Sequence, residues 1–136
     1  MVRILAAAVL MATLAGCASS ADTPGLLVGQ WGGPNMAVVG RRSGVVVSLA
    51  CIDATFTGPV PIGPDGQFAA VGAVTGASWS GVVGEDVRIT GTVVDGTAKI
   101  LFNFQDSAGG WNTTPIAFSV ALGQAVTWPD GRICPL

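Results

Sequence analysis

Apolar and polar residues alternate with period two along much of this chain, which predicts half-buried β-strands. The cleanest case covers residues 98–105. Ala98, Ile100, Phe102 and Phe104 share one face, and Lys99, Leu101, Asn103 and Gln105 share the other. Residues 87–93 repeat the pattern with Arg88, Thr90 and Thr92 outward, and residues 116–122 set Ile116, Phe118, Val120 and Leu122 together. Residues 45–51 form a β-branched apolar run, and 67–74 read as a weaker strand of small side chains. Residues 30–40, 54–57 and 125–134 are further strand candidates.

The breaks between these runs are short and carry turn residues. Asp95-Gly96 between two alternating segments is the strongest local hairpin signal. Asp65-Gly66 after Pro64 predicts another turn, and Asp130-Gly131 after Pro129 a late hairpin or bulge. Residues 107–110 separate two strands, and 76–86 form the longest irregular stretch. Beyond the first seventeen residues no segment carries a helical apolar stripe three turns long, and glycine interrupts most windows. The expected fold is all-β, a small antiparallel meander of about eight strands. Closing it into a barrel removes the exposed edges. A sandwich is the competitor, but a Greek key needs a long crossover and the links here are of hairpin length.

The N-terminus departs from this pattern. Arg3 is followed by an apolar run over residues 4–14 in which Thr13 is the one polar side chain, and then by Ala15-Gly16-Cys17. A positive charge, an apolar stretch of about a dozen residues and small residues at a cleavage point predict a secretory signal. The run is shorter than the roughly 20 residues of a membrane-spanning helix. Leu14-Ala15-Gly16-Cys17 resembles the lipobox of bacterial lipoproteins. That resemblance implies cleavage before Cys17, acylation of Cys17 and anchoring of the protein in a membrane. The implied organisation is a signal peptide over 1–16, a lipidated cysteine and tether over 17–24, and a barrel domain over 25–136. Ala18 in place of aspartate lacks the inner-membrane retention signal of enterobacterial lipoproteins. The expected location is the cell envelope, on the periplasmic face of the outer membrane in a Gram-negative cell and otherwise on the outer face of the cell membrane.

Composition narrows the function. Half of the 136 residues are hydrophobic and 10% are charged, with six basic against eight acidic residues for a net charge of −2. That balance excludes a basic nucleic-acid-binding surface of the usual kind. Disorder is excluded too, because it requires low hydrophobicity with high charge. The chain has no histidine and no tyrosine. It therefore lacks the usual general base, the Ser-His-Asp and Cys-His arrangements and the commonest metal ligand. Lys99 lies on the polar side of an alternating strand, and Asp65, Asp95 and Asp130 precede glycine at turns. No phosphate-binding glycine loop occurs. The expectation is a protein without enzymatic activity, cofactor or metal. Export would place Cys51 and Cys134 in an oxidising compartment, and a Cys51–Cys134 disulfide is expected there.

Gly29-Gln30-Trp31 at the start of the first strand resembles the G-x-W opening of the avidin, lipocalin and bacterial protease-inhibitor barrels. The resemblance implies a tryptophan packed across one end of a barrel. The order of features also resembles small uncharacterised bacterial lipoproteins. It runs from Gly29-Gln30-Trp31-Gly32-Gly33 through Thr57-Gly58-Pro59 and Asp65-Gly66-Gln67-Phe68 to a C-terminal cysteine. Trp31, Trp79, Trp111 and Trp128 all fall near strand ends or in loops. With so few charges, binding affinity must come mostly from buried apolar area, and tryptophan offers the most. These four residues are the candidate binding site at a barrel mouth, for a small apolar ligand or an envelope component. The alternatives are a protein-interaction module, such as an inhibitor of an envelope protease, or passive structural service.

Overall fold

The computed structural model describes residues 25–77, 80–105, 109–111 and 114–128. Eight antiparallel strands close into one barrel in sequence order. They are β1 (Gly29–Gly33), β2 (Met36–Arg41), β3 (Gly44–Ser48), β4 (Ile52–Thr57), β5 (Gln67–Ala77), β6 (Asp86–Val94), β7 (Thr97–Phe104) and β8 (Ile116–Leu122). A 3-10 turn at Ser80–Val82 lies between β5 and β6. No helix among the described residues is long and apolar enough to cross a membrane.

The alternation read from the sequence is what the barrel wall uses. In β7, Ala98, Ile100 and Phe102 are buried while Lys99 and Leu101 are exposed. Phe102 and Phe104 meet edge to face with ring centroids 5.2 Å apart, the arrangement aromatic quadrupoles favour. The interior is occupied by bulky side chains: Phe56, Phe102, Leu27, Met36, Ile89 and Ile100 are all less than 2% exposed. The outward face mixes Thr, Ser, Ala and a few charges with exposed apolar side chains, among them Val39, Val46, Val71 and Leu101.

Trp31 is 5% exposed and donates its indole N–H to the Val28 carbonyl at 3.0 Å. Beside it the chain that leads into β1 is pinned across the barrel end. Leu27 N–H donates to the Val60 carbonyl at 2.8 Å, and Ile62 N–H to the Gly25 carbonyl at 2.8 Å. Leu27 and Val60 are both buried, so this end is closed by side chains.

The structure departs from the sequence reading in three places. Residues 30–40 form two strands rather than one, because Pro34-Asn35 turns the chain, with Asn35 at φ 64°. Asparagine tolerates that left-handed conformation better than most residues. The run expected at 45–51 ends at Ser48, and Cys51 lies in the turn before β4. The strand expected over 125–134 is reduced to a single parallel bridge from Thr127 to Pro34, and residues 129–134 lie outside the described residues. The count of eight therefore comes from splitting the first expected strand.

The longest strand, β5, turns a corner. Its second half pairs with β4 from Ala73 to Ala77, and its first half with β6 from Gln67 to Ala73. The change of partner follows a bulge opposite Asp53/Ala54, where the Thr55 and Thr75 hydroxyls meet at 2.9 Å. Bulges of this kind bend a strand and let a small sheet close on itself.

Candidate functional site

The register of β5 to β8 stacks three rungs across four strands. Gln67, Thr92, Lys99 and Ser119 form one, Phe68, Gly91, Ile100 and Phe118 the next, and Ala69, Thr90, Leu101 and Ala117 the third. The middle rung points inward, and Phe68 and Ile100 are buried. The other two point out. Their side chains are short except for Gln67, Lys99 and Leu101, so the wall is low between taller borders. Residues of these three rungs, with Pro61 and Gly63 of the β4–β5 connection, line an open cleft of about 1130 Å³. A smaller hollow of about 450 Å³, lined by Thr92, Val94, Thr97 and Lys99, adjoins it.

Gly91 is required in the middle rung. A methyl group there would collide with the Phe68 ring and lie 2.6 Å from the Lys99 carbonyl oxygen. The missing side chain lets Phe68 lie flat against the inside of the wall. The cleft floor is thus thin backbone and small apolar groups. Leu101, 42% exposed, supplies an apolar anchor within it. Hydroxyls of Thr90, Thr92 and Ser119 and the Lys99 ammonium group provide polar borders. Small-molecule sites combine these features, an apolar concavity of roughly 300–1,000 Å³ with a few polar groups.

Trp31, Trp111 and Trp128 are not among the described residues that line this cleft. Trp31 is a buried plug at the barrel end where β1 begins. Trp111 is half-buried outside the barrel, with the Arg88 guanidinium 4.7 Å from its ring centroid. Trp128 is half-buried after the Thr127 bridge. Trp79 lies outside the described residues, as do Cys17 and Cys134. Cys51 is half-buried in the β3–β4 turn. The cleft residues carried one signal in the sequence, Leu101 as the apolar side chain on the polar face of its strand. The small residues around it gave none, because a concavity arises from register across strands.

Among the described residues no three His, Cys, Asp or Glu side chains come together to hold a metal ion. No family model, no curated protein and no solved structure matches this chain.

Proposed function

We propose that this chain is a non-enzymatic lipoprotein of the cell envelope whose barrel carries an apolar ligand or envelope component in the outer cleft of β5 to β8. The observation that carries the reading is the cleft itself, in which Ala69, Leu101 and Ala117 share one outward rung with Thr90, and Gln67, Thr92, Lys99 and Ser119 form the polar rung beside it. The bulky side chains inside the barrel direct the ligand to the outside of the wall. Cys17 is the proposed lipid site, with the signal peptide ending at Gly16 and residues 17–24 as the tether. A Cys51–Cys134 bridge belongs to the same reading. It is supported by the half-buried place of Cys51 in the β3–β4 turn.

The test is a titration of the mature chain with palmitate and with lipid extracted from a bacterial envelope, followed by amide chemical shifts. Saturable shifts at Thr90, Leu101 and Ala117, lost in Ala69→Trp and in Leu101→Glu with the fold retained, support the reading. Shifts confined to other residues, or none with either probe, contradict it.

One observation favours protein interaction as a second reading. β8 pairs along β7 from Ile116, but its pairing with β1 is limited to Leu122 with Trp31 and Ala121 with Gly32. A strand with one side unpaired among the described residues accepts an added strand from a partner. Protection of amides at 116–118 by an envelope protein, with the cleft empty, would favour this reading.

A further inference from the structure

We infer that one end of the barrel is built to rest on the membrane. The footprint comprises Val28, Val94, Leu122, Arg41 and Arg42, and its partner is an anionic phospholipid surface. The inference rests on the anchored reading only for the direction in which the chain is held.

The first observation is where the chain arrives. Gly25, the first described residue, is pinned to Ile62 by the 2.8 Å bond to its carbonyl. Leu26 bridges Pro61, and β1 starts at Gly29. The tether therefore joins the barrel at the end that holds the start of β1. The same end holds the β2–β3 turn, the β6–β7 turn and the last residue of β8. Seven residues, 18–24, separate Cys17 from Gly25, a distance of eight residue steps. An extended segment of that length spans at most about 28 Å, which keeps this end close to any bilayer that holds an acyl chain on Cys17.

The second observation is what this end exposes. Val28 is 41% exposed, Leu122 53% and Val94 60%. They are contiguous around the rim. A methyl group on Gly29 would lie 2.8 Å from Leu122 Cδ1, and one on Gly40 would lie 2.9 Å from Val28 Cα. Leu122 N–H donates to the Gly96 carbonyl at 2.8 Å, which brings in the turn that carries Val94. Arg41 and Arg42 follow Gly40 directly, so both cations flank the apolar strip on the Val28 side.

The third is the difference in charge between the ends. At the tether end Arg41, Arg42 and Lys99 stand against Asp65 and Asp95. At the other end Asp53, Glu85 and Asp86 are met by Arg88 alone among the described residues. An anionic surface therefore repels the far end and not the tether end. Apolar rim side chains reach the headgroup boundary while the arginines meet lipid phosphates.

The test holds the protein on a bilayer whether or not cells acylate Cys17. The mature chain is coupled through Cys17 to a maleimide phospholipid, in vesicles of phosphatidylglycerol and phosphatidylethanolamine that contain a photoreactive lipid. Peptide mapping should place the label at Val28, Val94 and Leu122. Arg41→Gln with Arg42→Gln should lower that labelling at least five-fold, given roughly a five-fold contribution from each cation near an anionic surface. Label centred on residues 81–86, or spread evenly over both ends, overturns the inference. A separate fatty-acid labelling of cells reports on natural acylation. Its failure would remove the anchored reading and leave the mapped footprint standing.

Discussion

The Arg88 guanidinium lies over the Trp111 indole, 4.7 Å from the ring centroid, on the outside of the barrel. Arg88 projects outward from β6 opposite Asn103, and Trp111 is placed by a bridge to Gln105 just beyond β7. The pair thus sets Trp111 against the outside of the wall. A cation over a partly desolvated indole contributes about 0.5–1 kcal/mol. A double-mutant cycle with Arg88→Gln and Trp111→Leu in urea should return a coupling of that size. Additive effects would assign Trp111 a purely apolar packing role.

The inward and outward faces of β7 should differ sharply in sensitivity. Phe102 is 1% exposed and Leu101 42%. Phe102→Ala should cost about 3–5 kcal/mol, the usual penalty for emptying an aromatic site in a core. Leu101→Ala should cost about 1 kcal/mol or less, since much of its surface is already in water. Denaturant midpoints of the two variants measure the difference.

Gly91→Ala should destabilise the barrel by about 1–3 kcal/mol, because the new methyl group meets the Phe68 ring and the Lys99 carbonyl. Phe68→Leu should cost less in the Gly91→Ala background than in the wild type, since the smaller side chain makes room. Equal costs in both backgrounds would mean that the methyl group is accommodated by movement of the strand.

The β6–β7 hairpin turns on two left-handed residues, Asp95 at φ 49° and Gly96 at φ 75°. That pair of conformations defines the tight turn matched to strand twist. Gly96→Val should destabilise by about 1–2 kcal/mol from the Cβ penalty at positive φ. Asp95→Asn should be near neutral, because asparagine tolerates the same region. Thermal melting of the two variants separates them.

Much of this architecture can be read from alternation alone. β6, β7 and β8 lie where the period-two runs at 87–93, 98–105 and 116–122 predicted them, to within one residue at each end. β6 and β7 bury one face over most of their length, so most of their residues report their side, whereas Asn103 is buried on the outer face and Ile116 and Leu122 are exposed at the ends of β8. The start of the barrel was harder to read, since Pro34-Asn35 is a weaker turn signal than an Asp-Gly pair. The apolar run up to Cys51 hid the end of β3, because a continuous β-branched stretch has no polar residue to mark where pairing stops. Trp31 packs at the barrel end, where the Gly29-Gln30-Trp31 start predicts a tryptophan. The outer-wall contact of Trp111 does not follow from lying near a strand end. The cleft depends on Ala69, Thr90, Leu101 and Ala117 meeting across four strands, a relation set by register and invisible along any one of them.

The anchored reading is tested most directly by the intact mass of the protein extracted from its own envelope without reductant. The account predicts a chain that starts at Cys17, the 136 residues less the first sixteen. It should carry the mass of its acyl groups and be lighter by two hydrogens for one Cys51–Cys134 disulfide. A chain that retains the first sixteen residues, or one that starts at Cys17 without acyl mass, would contradict it.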